Sequence, residues 1–377
     1  METTSSEIFE DGPLRILGTS SVNVGGKMLQ LGWKAGTEQY SPGELLDFAM
    51  AAEEAGFDLI EASDHFHPWA EKGQAAFVWS WLGAVAGRTK KIILGTGVTC
   101  PILRYHPSVL AQAAATVSCL APKRFFLGVG TGEALNEYAA VGQWPGYKIR
   151  QAQLAEAIAL MRALWTGEKI THRGEYYQTR RAKLYTLPQD SIPLYVSTLV
   201  PKTARFAAKH GDGLITVGGE EPNIYTEIFD NFEAVAAKAG KDQSRMPRMI
   251  ELGVAYAADE EKAIESRQSY WAGTYIPALF TEKIYTPQMS ERNGKVIGSD
   301  TVKQSVCISA DPEDHIQYAQ KYIELGFDQL IFHSAGPDQL AFIESYGKYV
   351  LPRLRETGRQ SKQPSAEEGD SVPRMKN

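Results

Sequence analysis

Short runs of β-branched and aromatic residues, bounded by Gly, Asp or Pro, alternate along this chain with longer segments whose apolar residues recur at helical spacing. Eight such runs predict strands at 29–35, 57–64, 91–99, 124–132, 193–198, 213–217, 249–257 and 329–334. Several are nearly continuous apolar stretches, as expected of strands that helices cover on a parallel sheet. The intervening segments carry helix signals. SPGELLDFAMAAEEAGF starts with Ser41 as N-cap, Pro42 at the first helical position and Glu44 three residues past the cap, and it stops at Gly56. SVLAQAAATVSCL, QAQLAEAIALMRALW and DPEDHIQYAQKYIELGF read the same way. Eight strand–helix units in sequence predict a (β/α)8 barrel rather than a doubly wound sheet.

The periodic region defines one expected domain at 28–357. Residues 1–27 mix Ser, Thr, Gly and acidic residues without a period and are expected to form an N-terminal arm. From Gly358 onward the chain is polar and rich in Pro, Ser and Glu, and is expected to be a disordered tail. Residues 269–303 are too long for an ordinary loop and rich in aromatics, so they are expected to form an insertion before the eighth strand that covers the open end of the barrel.

Composition narrows the function. At 377 residues and 43% apolar, the chain can bury one large core. Its 39 Lys+Arg against 45 Asp+Glu give a formal charge of −6 without a basic stripe, which argues against a nucleic-acid partner. Cys100, Cys119 and Cys307 are far apart and include no C-x-x-C pair, so neither a disulfide framework nor a zinc knuckle is expected. No window holds the roughly 18 apolar residues of a membrane span. The acidic start lacks the basic and apolar regions of a signal peptide. A cytoplasmic enzyme acting on a small molecule is the resulting expectation.

In such barrels the chemistry sits where strands end and βα loops begin. Glu38 and Gln39 follow the first strand, and Asp64-His65-Phe66-His67-Pro68-Trp69 the second. Gly97-Val98-Thr99-Cys100 closes the third, Gly130-Thr131-Gly132-Glu133 with Asn136 the fourth, and Ser197-Thr198 the fifth. His65 is suited to proton transfer near neutral pH, with the carboxylate of Asp64 beside it; the same pair can also do no more than cap a helix. His65 and His67 together admit a metal-dependent hydrolase, but the other histidines fall short of a ligand set: only His333 lies near a strand end. The glycine turn before Glu133 allows close backbone approach to a flat cofactor or a phosphate, yet G-V-G-T-G-E is not a dinucleotide-binding fingerprint.

SDHFHPW, GTGVTCPILRYHP and FLGVGTGEALNE, in this order, resemble the deazaflavin-dependent branch of the bacterial-luciferase-like barrels, over about Leu29 to Leu354. That branch includes dehydrogenases that use coenzyme F420 on glucose 6-phosphate or on secondary alcohols. The resemblance implies that His65 transfers the proton, Glu133 is a second catalytic group, and Trp69 stands beside the substrate. It implies that Asp64, Gly97, Val98, Cys100, Thr131, Gly132 and Asn136 contact the deazaflavin, with a cis peptide at Gly97-Val98. Ser197, Thr198, Leu199, Val200, Lys202 and Thr203 would hold the rest of the cofactor, its anionic tail at the helix start. Glu38 and Lys283 would face the substrate. A homodimer is expected.

The chain departs from the sugar-phosphate enzymes at their phosphate clamp. Glu220 stands where the clamp has a lysine, and Gln304-Ser305 where it has an arginine, while Lys283 matches its third basic residue. A carboxylate repels a phosphate dianion, which favours an alcohol over glucose 6-phosphate. The expected enzyme is therefore an F420-dependent secondary alcohol dehydrogenase. An F420-dependent sugar dehydrogenase, an FMN-dependent monooxygenase and the metal-dependent hydrolase are the alternatives.

Overall fold

The computed structural model describes residues 23–24, 27–276 and 284–360. The eight expected strands all form, as β1 Gln30–Ala35, β2 Leu59–Ala62, β3 Ile93–Thr96, β4 Phe125–Val129, β5 Leu194–Ser197, β6 Gly213–Val217, β7 Arg248–Tyr256 and β8 Gln329–Ser334. Each pairs in parallel with the next, and β8 pairs with β1, so the sheet closes into an eight-stranded ring.

Helices return the chain between strands: α1 Pro42–Glu54, α2 Val78–Arg88, α3 Pro107–Leu120, α4 Ala134–Val141, α5 Tyr147–Trp165, α6 Pro201–His210, α7 Pro222–Lys238 and α8 Glu260–Trp271. The start of α1 follows the expected cap. Glu44 N donates to Ser41 Oγ (3.4 Å) and Ser41 N donates to Glu44 Oε2 (2.9 Å), with Pro42 at the first position. Outward strand residues and inward helix faces form the main core, and the barrel interior has its own apolar plug of Leu59, Phe126, Tyr195, Ile215, Met249 and Ile331. Inward residues alternate along each strand. The next inward positions after Leu59, Met249 and Ile331 are Glu61, Glu251 and His333, so charge replaces apolar packing one layer nearer the open end.

The strands are shorter than the sequence runs. Residues 97–99, 63–64 and 130–132 leave the regular strands and carry polar groups into the mouth of the barrel. A short strand that the pattern did not announce, Cys307–Ser309, pairs in parallel with β7 outside the ring. Its three residues are too few to show a period.

The expected insertion begins inside α8. It continues through a 3-10 turn at Ala272–Tyr275, α9 Pro287–Gly294 and α10 Ser299–Ser305. Residues 277–283, including Lys283, lie outside the described residues. Most of the expected N-terminal arm does too, although Asn23–Val24 pairs with Lys27–Met28. The last helix, Leu351–Gln360, runs past Gly358, and residues 361–377 of the expected tail are outside the described residues. Among the described residues no helix is long and apolar enough to cross a membrane.

Candidate active site

The loop after β2 is fixed from below by Asp64, which is 2% exposed. Its Oδ2 accepts from Thr99 Oγ1 (2.9 Å) and Trp79 Nε1 (3.3 Å), and its Oδ1 from Tyr105 OH (2.9 Å) and Arg104 Nη2 (3.4 Å). Four donors commit this carboxylate to the protein. Arg104 in turn bonds Glu137 Oε1 through Nε at 2.9 Å, tying the loop after β3 to α4.

So held, His65 projects into the mouth. Its Nδ1 lies 2.5 Å from Glu38 Oε1 and its Nε2 3.7 Å from Glu133 Oε2. Trp69 meets the ring edge-on, at 5.1 Å and 86°. Burial alone would lower the imidazole's pKa, but the charge and hydrogen bond of Glu38, followed by the charge of Glu133, raise it above its ordinary value. Burial would likewise raise Glu38, and His65 and Lys34 hold it below the usual carboxylate range.

Asn136 joins the two sides of this pair. Its Oδ1 accepts from the backbone N–H of Phe66 (2.8 Å) and His67 (3.0 Å), and its Nδ2 donates to Glu133 Oε2 (2.9 Å). His67 is turned away, with Nδ1 3.1 Å from Leu135 O. His65 and His67 therefore do not converge. Among the described residues there is no group of three His, Cys, Asp or Glu side chains disposed to hold a metal ion.

Beneath the mouth lies a charged floor. Lys34 Nζ reaches Glu251 Oε2 (2.9 Å), Glu61 Oε1 (3.5 Å) and the carbonyl of Gly97 (2.9 Å). His333 Nδ1 lies 2.7 Å from Glu251 Oε1. Burial pushes Glu61 up to about 7. Burial also opposes ionisation of Glu251, but Lys34 and His333 outweigh it and hold this carboxyl well below the usual range. A Cβ on Gly97 would fall 1.3 Å from Glu61 Oε1, so glycine is required for this approach. The Gly97–Val98 peptide bond is cis, as the resemblance implied.

The ends of β3, β4 and β5 form a cradle of small residues above the floor. A Cβ on Gly130 would meet Val98 Cγ2 at 2.9 Å and Ser197 Cβ at 3.4 Å, filling the gap between these loops. Thr131 and Gly132 continue the rim, and Gly132 adopts φ +72°, which favours glycine. Leu199 and Val200 are exposed where α6 begins, beside Lys202. The first-turn N–H groups of α6 and the Lys202 ammonium suit an anionic tail. A flat cofactor with such a tail fits these residues.

Besides Asp64 and Asn136, Cys100 and Thr198, also expected at the cofactor, are turned into the protein, and Thr203 braces the start of α6. Cys100 is 4% exposed, its Sγ packs 2.6 Å from where a Gly132 Cβ would stand, and burial pushes its thiol well up. Thr198 is fully buried and donates through Oγ1 to Val196 O at 3.1 Å. Thr203 Oγ1 donates to Val200 O at 2.8 Å, bracing the start of α6.

Across the mouth, the Glu220 carboxylate is exposed on the loop after β6, while its backbone N–H donates to Tyr225 OH at 3.1 Å. Its neighbour Gly219 lies against α10, 3.8 Å from Ser305 Cβ measured at the glycine's Cβ position. The loop that carries Glu220 and the end of α10 are therefore close in space.

Lys34, Glu61 and Glu251 are not among the residues expected at the site. Their signal was a charge inside apolar strand runs, in GWKA, LIEA and MIELG. Arg104 was not expected there either, because its role depends on contacts between loops.

The eight-stranded parallel barrel, with a braced histidine at the strand ends beside a glycine cradle, places the chain among the (β/α)8 barrels with a site at the strand ends. The family described as luciferase-like monooxygenase matches residues 28–329, and the chain belongs to it. It is 40% identical over 334 residues to the F420-dependent glucose-6-phosphate dehydrogenase of Mycolicibacterium gilvum, covering 88% of this chain and 99% of that protein. The enzyme of the same name from Nocardia farcinica is 41% identical over 331 residues, covering 87% and 98%. Among solved structures, an F420-dependent secondary alcohol dehydrogenase in complex with an F420-acetone adduct superposes with a TM-score of 0.83 at 36% identity, covering 86% of this chain and 99% of that one. The coenzyme F420-dependent tetrahydromethanopterin reductase of Methanopyrus kandleri shares the fold, with a TM-score of 0.69 at 19% identity.

Proposed function

We propose that this chain is an F420-dependent dehydrogenase that oxidises an unphosphorylated secondary alcohol to a ketone. The observation that carries the dehydrogenase reading is the His65 imidazole, held at Nδ1 by Glu38 with Nε2 turned to Glu133 beside the glycine cradle. Relatives named for F420 at 40% identity over most of the chain support the cofactor. Gly97, Val98, Gly130, Thr131, Gly132 and Ser197 would hold the deazaflavin ring, and the start of α6 with Lys202 its tail.

A deazaflavin bound in this cradle would supply the hydride acceptor. The protein supplies the proton chemistry. Neutral His65 takes the hydroxyl proton at Nε2, Glu38 fixes the ring and stabilises the imidazolium, and Glu133 adds negative charge on the far side. Trp69 packs with Leu135, Trp271, Ile284 and Ala335, an apolar wall that keeps water from the transfer.

Glu220 supports an unphosphorylated substrate. The relatives' names point to both glucose 6-phosphate and secondary alcohols, and here an exposed glutamate follows Gly219, which lies against Ser305, where a phosphate would need cations. The test is loss of the cofactor's visible absorbance when purified protein and F420 meet a panel of secondary alcohols, sugars and sugar phosphates. Bleaching with secondary alcohols is expected; bleaching with glucose 6-phosphate and no alcohol overturns the substrate assignment.

A further inference from the structure

His333, on β8 and two strands round the ring from β2, repeats the arrangement of His65. Its Nδ1 is held by a glutamate, Glu251, at 2.7 Å, and a tryptophan, Trp271, meets its ring edge-on at 4.3 Å and 83°. Trp69 and Trp271, the two indoles, pack in one apolar cluster. The two histidines differ at the other nitrogen. His65 Nε2 faces Glu133, whereas His333 Nε2 is buried without a hydrogen-bond partner among the described residues. Burial and the Arg267 charge keep His333 neutral, and Glu251 is ionised, so Nδ1 carries the proton and Nε2 presents a lone pair.

A second unpaired atom of opposite character lies nearby. Arg267, on α8, bonds Tyr275 OH through Nε (3.1 Å), and its guanidinium carbon is 5.7 Å from the Trp271 ring. Its Nη1 is buried with no partner among the described residues. Gly253 is the ladder partner of His333 on β7, and its missing Cβ would lie 3.7 Å from Arg267 Nη2. A buried lone pair and a buried N–H, each without a partner, are costly unless something in the working complex satisfies them. A hydroxyl, which both donates and accepts, satisfies both.

We propose that His333 Nε2 and Arg267 Nη1 form a subsite that reads a second hydroxyl of the substrate, so that the alcohol oxidised at His65 is a diol or polyol. This rests on the dehydrogenase reading above and specifies its substrate class. A substrate with one hydroxyl leaves both atoms unsatisfied; a second hydroxyl accepts from Arg267 and donates to His333.

The experiment compares 2-butanol with 2,3-butanediol, and 2-pentanol with 2,4-pentanediol, by F420 reduction and by calorimetric binding to the F420-loaded protein. At least one diol is expected to exceed its parent by roughly 10–100-fold in kcat/KM, with a matching preference in affinity. His333→Leu and Arg267→Met should each erase that preference, lowering diol kcat/KM roughly 10–100-fold more than mono-alcohol kcat/KM. His333→Gln, which restores an acceptor, should recover part of it. Equal rates with mono-alcohols and diols, or a His333→Leu loss that is the same for both, overturn the subsite and leave the dehydrogenase standing. A preference for 3-hydroxybutanoate over both diols overturns it in favour of a carboxylate held by Arg267. F420 binding without reduction by any alcohol overturns the dehydrogenase reading, and the subsite with it.

Discussion

Asn136 Nδ2 donates to Glu133 Oε2 at 2.9 Å while its other end accepts two backbone N–H groups of the His65 loop. One buried amide thus spans the loops after β2 and β4 and sets how far Glu133 stands from His65. Asn136 is expected at the cofactor, and both ends of its amide bond to the protein.

Replacing Asn136 with Ala leaves the N–H groups of Phe66 and His67 without an acceptor, at a cost of about 1–3 kcal/mol. The fold should persist, and kcat should fall by roughly 10-fold or more with a smaller change in F420 affinity. Unfolding curves together with steady-state kinetics check this; a loss confined to F420 affinity would restore Asn136 to the cofactor's contacts.

The Glu38–His65 contact predicts a pH effect. Alcohol oxidation needs neutral His65, so the acid limb of kcat/KM follows the imidazole's raised pKa. Glu38→Gln removes the charge that stabilises the imidazolium, so the limb should move to lower pH while the maximal rate falls. His65→Ala should lower turnover by roughly 10²–10⁴-fold with F420 affinity nearly intact. Pre-steady-state and binding measurements on both variants distinguish these outcomes from a binding role for His65.

The charged floor predicts a stability profile. Glu61 has its pKa pushed from 4.5 to about 7 by burial, so the folded state holds a proton that the unfolded state has lost. Its contribution is fully present below about pH 4.5 and declines as pH rises through about 7. Glu61→Gln should flatten that decline in urea unfolding followed across this range. Lys34→Met, by contrast, strands the ionised Glu251 and should destabilise the fold by about 3–5 kcal/mol.

The barrel was legible because strand and helix periods differ, and eight alternations with capped helices have few other solutions. The place of the candidate site followed from position: His65, Glu133 and the glycines stand at strand ends, where such barrels place their chemistry. The role of Asp64 was not legible, because its four donors come from residues 79–105 through folding, and a carboxylate next to a histidine reads the same whether it faces ligand or protein. Nor was the pairing of Lys34 with Glu251, which lie 217 positions apart and meet only when the ring closes. His333 was noticed as a histidine near a strand end, but its similarity to His65 depends on Trp271 and Glu251, which sequence spacing cannot bring together.

The substrate assignment predicts that specificity can be moved. Introducing Glu220→Lys with Ser305→Arg puts two cations where the loop after β6 meets α10. The double variant should gain activity on glucose 6-phosphate by roughly 10-fold or more relative to secondary alcohols, with a steeper dependence on ionic strength. No gain on the phosphorylated sugar would remove Glu220 as its barrier.

The central claim is that His65 serves an F420-dependent oxidation of an unphosphorylated alcohol. It is tested most directly by following the visible absorbance of F420 in the presence of purified protein and a secondary alcohol, with wild type and His65→Ala side by side. The account predicts bleaching by the wild type, a loss of roughly 10²–10⁴-fold in the variant, and no bleaching with glucose 6-phosphate. Bleaching with glucose 6-phosphate alone, or equal rates in both proteins, would contradict it.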